Sequence, residues 1–392
     1  MFETMTAPLP DKILSLMELF RADPRAGKMD LGVGVYRDEA GVTPILPSVR
    51  RVEAALDAAA QTKAYVGPAG DPLFVERVLA LAFGADAPAG RIGGVQAVGG
   101  AGALRILTGL IARQAPGAVV HVPDPTWINH LAIIESAGLA SATYRYYDPA
   151  TGGVDMAGLL ADMEAMRPGD VMLLHGCCHN PTGADPRLSD WVAIADMLVA
   201  RGIVPFVDIA YQGFGDGLDE DAAALRMLAQ RVPEMLVAYS CSKNFGIYRD
   251  RAGAAFVLAR DAAAAQVARA RLAEQNRIAC SMPPDHGAAI VREILGDAAL
   301  RAEWAAEVAG MRARVRDIRQ ALSSALAAVD GARFGTLAGQ KGMFSLLPLS
   351  EAEVARLQAD HGIYLVSDGR ISLAGLRRDQ VPLLAAAVGA VI

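Results

Sequence analysis

Three short polar clusters each follow a run of apolar residues. They are Gly176-Cys177-Cys178-His179-Asn180-Pro181-Thr182-Gly183 after residues 171–175, Asp208-Ile209-Ala210-Tyr211-Gln212-Gly213 after 203–207, and Ser240-Cys241-Ser242-Lys243-Asn244 after 235–239. Together they offer an amine, a carboxylate, a phenol, an amide and hydroxyls. A lysine amine can condense with a carbonyl and later carry a proton. Arg251 and the glycine-rich Gly99-Gly100-Ala101-Gly102 add what a phosphate needs: a cation, close backbone approach and N–H groups at a helix start.

The elements that must position these groups alternate along the chain. Short apolar runs predict strands over 118–122, 171–175, 203–208, 235–240 and 252–258, and helices are expected over 102–112, 189–200 and 222–230. That alternation reads as a parallel sheet with crossover helices. Ligands of such a sheet bind beyond the carboxyl ends of its strands, so the three clusters would build one site. Residues 297–329 have helical period and lead out of the sheet domain. Residues 333–348 and 363–373 read as short strands with helices between them. A second, smaller α/β unit follows, completed by the N-terminal segment.

The same groups match the requirements of pyridoxal phosphate: a lysine for its aldehyde, a carboxylate for its ring nitrogen, a phenol and amide for its 3-oxygen, and an anchor for its phosphate. The motifs around Asn180-Pro181-Thr182-Gly183, Asp208 with Tyr211-Gln212-Gly213-Phe214, and Ser240-Cys241-Ser242-Lys243-Asn244-Phe245-Gly246 resemble the aspartate and aromatic-amino-acid aminotransferases. These are class I, fold type I pyridoxal phosphate enzymes. The resemblance runs from Leu31-Gly32-Val33-Gly34-Val35-Tyr36 to Gly369-Arg370-Ile371. It implies a large, mostly parallel seven-stranded sheet domain with helices on both faces, over 44–309. A smaller α/β domain would be formed by 1–43 and 310–392.

Carried over by position, Lys243 would form the Schiff base, Asp208 would pair with the ring nitrogen, and Tyr211 and Asn180 would touch the 3-oxygen. Trp127 would stack on the ring, and His130 and His175 would orient Asp208. Ser240, Ser242, Arg251 and the backbone at Gly100 and Ala101 would hold the phosphate. Ala101 stands where many relatives have a hydroxyl. Arg370, with Asn180, Trp127 and the backbone at Gly34, would bind the substrate α-carboxylate. Arg277 matches the arginine for a distal carboxylate; it and the phosphate-touching Tyr65 reach in from a neighbouring subunit in the family. The resemblance therefore implies a homodimer with shared active sites. Met282, Ala64 and Ala101 make the substrate wall more apolar than in aspartate-preferring relatives, and the surroundings of Cys241 and Tyr248-Arg249-Asp250 are closer to the aromatic-accepting branch. An apolar wall favours aromatic side chains by burial, while Arg277 keeps dicarboxylates acceptable. The expected activity is ping-pong transfer of the amino group of aromatic amino acids and/or aspartate to 2-oxoglutarate.

Bulk properties exclude other classes. The 392 residues carry a net charge of −6 with no basic cluster, which argues against nucleic acid as a partner. No run of about 18 apolar residues suggests a membrane span, and the N-terminus shows no signal peptide. Cys177 and Cys178 are poor disulfide partners, and no Cys-x-x-Cys pair points to a metal. A reduced cytoplasmic enzyme is expected. Gly32-Val33-Gly34 lacks the third glycine of a dinucleotide site. Three rival readings are a strictly aspartate-specific aminotransferase, a pyridoxal phosphate lyase or decarboxylase, and a non-catalytic ligand-binding regulator. Arg370 and Arg277 speak against the second, and the short N-terminal arm against the third.

Overall fold

The computed structural model describes residues 2–6 and 12–392. Residues 1 and 7–11, part of the N-terminal stretch read for a leader, lie outside the described residues. The chain forms two compact units, one of 44–314 with 340–342, the other of 1–43, 315–339 and 343–392. Among the described residues no helix is long and apolar enough to cross a membrane.

The larger unit is built on a seven-stranded sheet. Its strands are β1 (Ile92–Val98), β2 (Val119–Asp124), β3 (Ala140–Arg145), β4 (Val171–His175), β5 (Val204–Ile209), β6 (Met235–Ser240) and β7 (Ala252–Leu258). They lie in the order β1-β7-β6-β5-β4-β2-β3. Only β7 runs against its neighbours. The central strands β4 and β6 are buried along their whole length, which explains their continuous apolar runs. In register, His175 lies beside Asp208 and Asp208 beside Ala238, so the ends of β4, β5 and β6 are level. The helix Gly99–Gln114 buries Leu104, Leu107, Thr108 and Ile111, one face at helical spacing, and packs with Val95, Val120, Phe206 and Ala238.

Helix boundaries follow local chemistry. Asp71 caps Pro72–Phe83 by accepting from the Leu73 and Phe74 N–H groups, and Gly202, at φ +66°, ends Leu188–Arg201. Trp304 is fully buried, stacks on Phe245 with centroids 4.4 Å apart, and donates its indole N–H to the Asn244 carbonyl at 2.8 Å. Replacing Trp304 by alanine is expected to cost about 3–5 kcal/mol of stability. A lowered urea midpoint would show this, and an unchanged one would refute it.

The smaller unit pairs Met29–Asp30 with Ile363–Tyr364 in parallel and Phe344–Leu346 with Arg370–Ser372 antiparallel. Its helices include Lys12–Ala22, Glu351–His361 and Val381–Val391. Ser350 and Glu353 form a reciprocal cap at the second of these. Leu357, Leu384 and Val388 are fully buried.

The sheet, its parallel strands and the second set of short strands follow the expectation, with two corrections. Over 333–348 only Phe344–Leu346 is strand, because a short helical stretch beyond the non-helical Asp330, which breaks the long helix, reaches Phe334 and a 3-10 turn follows at Leu337–Gly339. Over 363–373 two strands of two and three residues flank a turn at Gly369, whose φ is +84°.

Candidate active site

The level strand ends in the larger unit bring the three clusters together. Asp208, next to last in β5, has its carboxylate buried, and His130 Nε2 lies 3.1 Å from its Oδ2. Behind it a chain of contacts runs through Thr126, whose hydroxyl lies 2.8 Å from His130 Nδ1 and 3.2 Å from His175 Nε2. The Asn180 N–H donates to His175 Nδ1 at 3.4 Å. These distances accommodate one consistent assignment of protons. His175 Nε2–H donates to Thr126, the Thr126 hydroxyl donates to His130 Nδ1, and His130 Nε2–H donates to Asp208. Each group donates once and accepts once, so Asp208 can remain a bare carboxylate.

Electrostatics agree with that assignment. Burial pushes the Asp208 carboxyl up, but the His130 hydrogen bond and the nearby His130, His175 and Lys243 outweigh it and hold it below the usual range. Burial, reinforced by His130, lowers His175 to about 3. The unfolded chain therefore binds a proton on His175 below about pH 6.5 that the folded chain refuses until about pH 3. Stability from this group is complete above pH 6.5 and is lost as pH falls across that window. Near pH 5, His175→Gln is expected to flatten the stability-versus-pH slope by about 1.4 kcal/mol per pH unit. Urea unfolding at several pH values checks this; parallel slopes for the two proteins would refute it.

Lys243 follows β6, and its Nζ lies 5.0 Å from the centroid of the Tyr211 ring. Burial lowers the amine to about 8, against the pull of Asp208 and with the help of Arg251. About a tenth is then neutral and nucleophilic at pH 7, far more than for an ordinary lysine. The Asn180 amide donates to the Tyr211 hydroxyl at 3.3 Å. Trp127 stands edge-on to His130, with centroids 5.2 Å apart.

The start of the helix Gly99–Gln114 closes the other side. Gly99 has φ +64°, and a Cβ there would meet the Arg251 guanidinium; one at Gly100 would press on the Ser240 side chain. Ala101 packs against the sheet core. Arg251, itself at φ +55°, reaches the Ser242 hydroxyl at 3.4 Å and the Tyr248 carbonyl at 3.1 Å. A helix N-terminus, two buried serines and a guanidinium thus converge, a donor set suited to a phosphate.

Tyr65 is 91% exposed. Arg277 is also exposed, with its guanidinium on the Ser281 hydroxyl at 2.5 Å. Ala64 is exposed and Met282 half-buried. Gly34 and Arg370 belong to the smaller unit. There Arg370 is buried, donates to the Gly32 carbonyl at 2.7 Å and sits 4.8 Å over the Phe344 ring. A Cβ at Gly34 would collide with that ring.

Sequence reasoning missed the hub role of Thr126, because nothing in Asp124-Pro125-Thr126-Trp127 distinguishes its hydroxyl from a turn residue. It also missed the support beneath Lys243. Tyr239 donates to Gln212 at 2.7 Å and accepts from the Asn244 amide at 3.3 Å, pinning both flanks of the lysine turn.

The family model for aminotransferase class I and II matches residues 26–388. A relative from Paracoccus denitrificans, named aromatic-amino-acid aminotransferase, is 47% identical over 97% of this chain and 96% of its own length. One from Salmonella typhi, named aspartate aminotransferase, is 42% identical over the whole of both chains. A solved structure from Burkholderia pseudomallei, described as an aromatic-amino-acid aminotransferase covalently bound to pyridoxal phosphate, superposes with TM-score 0.97 at 40% identity, covering 100% of this chain and 99% of that one. The fold is that of the fold type I pyridoxal phosphate enzymes, and the chain belongs to the class I and II aminotransferases, as a transaminase of the branch whose members are named for aromatic amino acids and for aspartate.

Proposed function

We propose that this transaminase moves the amino group of aromatic amino acids and of aspartate to 2-oxoglutarate, using pyridoxal phosphate held at Lys243. The observation that carries the reading is the half-buried amine of Lys243, lowered to about 8, beside the buried carboxylate of Asp208. The residues present fit the cofactor. The helix start at Gly99-Gly100-Ala101, with Ser240, Ser242 and Arg251, suits its phosphate; Asp208 suits its ring nitrogen, the Asn180–Tyr211 pair its 3-oxygen, and Trp127 its ring face. When bound, the cofactor supplies an aldehyde and an electron-withdrawing ring.

The chain's own residues would then act in turn. Lys243 Nζ would hold the cofactor's aldehyde, and as a free amine it would be the base placed to take and return the substrate Cα proton. Asp208, kept charged by the His130–Thr126–His175 chain, would keep the ring nitrogen protonated. Arg370 takes the α-carboxylate as a fixed, planar cation, with the Gly34 backbone beside it. The same steps reversed with 2-oxoglutarate complete a ping-pong cycle.

We further read the protein as a cytoplasmic homodimer. The exposure of Tyr65 and Arg277 in a single chain supports their completing a partner's site. Arg277→Leu is expected to lower kcat/KM for aspartate at least about 10-fold, the loss of a charge-assisted pair, while changing that for phenylalanine little. Relative activity on aspartate, phenylalanine and tyrosine with 2-oxoglutarate tests the substrate reading. Activity on aspartate alone would overturn it.

A further inference from the structure

Beneath the Tyr211 turn lies a cluster that the transamination chemistry does not use. The Cys177 and Cys178 thiols and an Asp221 carboxylate oxygen, all buried, lie within 4.8 Å of one another. Cys177 and Asp221 line a cavity of about 290 Å³ that Asp185, Trp191 and Lys341 help to wall. The Cys178 backbone is fixed on both sides. Its N–H donates to Asp185 at 2.7 Å, and its φ is +53°. Gly342 presses so close to the Cys178 side chain that a Cβ there would not fit.

We propose that Cys177, Cys178 and Asp221 form a binding site for a thiophilic divalent cation of the zinc or cadmium type. Tetrahedral coordination with metal–sulfur bonds of about 2.3 Å places ligand atoms about 3.8 Å apart, within the spread the cluster already shows. Two thiolates and a carboxylate leave one tetrahedral position for water, and the cavity supplies its room. Asp221 is held firmly in place. Its Oδ2 accepts from the Gly213 and Gly215 N–H groups at 2.8 and 2.9 Å, Oδ1 accepts from the Asp216 N–H at 2.8 Å, and the Gly217 N–H also bonds the carboxylate. Ligation by Asp221 would displace one of these donors. Uptake releases the two thiol protons to solvent, so the Cys177–Cys178–Asp221 set with its dication carries a net charge of −1. Lys341 is paired with Asp216 at the cavity wall and can balance that charge.

The absence of a Cys-x-x-Cys motif hid this site. Adjacent cysteines cannot close a disulfide without strain, but the Cys177 and Cys178 thiols lie within 4.8 Å of each other. Occupancy would also be felt at Tyr211, because the Cys178 thiol donates to the Tyr211 carbonyl at 3.9 Å and loses that proton when it ligates.

Cadmium chloride titrated into the full-length, cofactor-loaded protein is the probe. The ultraviolet thiolate-to-cadmium band reports sulfur ligation, and equilibrium dialysis gives the affinity. One equivalent bound with that band is expected. Loss of an outer-sphere partner alone costs 10–100-fold in metal affinity, so Cys177→Ser should weaken binding at least about 100-fold. Cys280→Ser, which removes the exposed cysteine, should change nothing. Cys177→Ala serves if the serine variant does not fold. No sulfur band at one equivalent in the unmutated protein, a band that survives removal of Cys177, or one that vanishes with Cys280 would each overturn the proposal.

Discussion

Lys243→Ala protein is expected to turn over aspartate or phenylalanine with 2-oxoglutarate at least about 10⁴-fold more slowly than the unmutated enzyme. Two functions disappear with one side chain. Removal of the Cα proton by a positioned base is worth about 10²–10⁴-fold, and covalent attachment of the aldehyde is lost as well. No neighbour replaces the amine. Arg251, the nearby cation, stays protonated in proteins, and Tyr211 lacks the basicity. The visible band of lysine-bound cofactor should disappear along with activity. An exogenous small amine should restore part of the rate, since the cavity left by the side chain admits one. Turnover at the unmutated rate would remove Lys243 from the reaction and with it the proposed mechanism.

The second large effect is expected for Asp208→Asn. The amide keeps an oxygen for His130 Nε2–H, so the chain through Thr126 and His175 survives and only the charge is removed. Two opposite charges about 4 Å apart at an effective dielectric of 20 interact by about 4 kcal/mol. That corresponds to about 10³-fold in rate if the charge matters only as the Cα proton departs. Single-turnover reduction of the cofactor absorbance on mixing with aspartate measures that step alone. A rate within about threefold of the unmutated enzyme would show that Asp208 only packs.

Much of this site was legible because parallel strands announce themselves. Residues 171–174, 235–239 and 252–258 form almost unbroken apolar runs, and the polar residues just past the first two are where an open sheet binds its ligands. The strand Ile92–Val98 escaped notice for a physical reason. Its Gly93 and Gly94 read as a turn, yet they are small because the Ala265 carbonyl of the helix Ala262–Ala279 and the Phe256 ring leave no space for a side chain. Its Gln96 reads as exposed but is buried, accepting from the Asp71 N–H at 2.9 Å and donating to the Pro284 carbonyl at 2.7 Å. The edge strand Ala140–Arg145 is half polar and lacked the apolar run of its neighbours. Thr126 could not be found because its role exists only where His130 and His175, on separate elements, meet.

The reversed direction of β7 has a consequence for which cofactor the site can take. Between parallel neighbours the chain needs a crossover of about a dozen or more residues, usually a helix. Because β7 runs backward, the chain returns through residues 241–251 with no crossover helix, and Gly253 pairs directly with Ser240. Residues 240–251 therefore carry the proposed amine anchor and the proposed phosphate anchor on one short loop tied at both ends to adjacent strands. The loop acts as a ruler. The spacing of Lys243 from Ser240, Ser242 and Arg251 is set along one stretch of chain, so an insertion or deletion within it would mismatch these anchors to one another without disturbing the sheet.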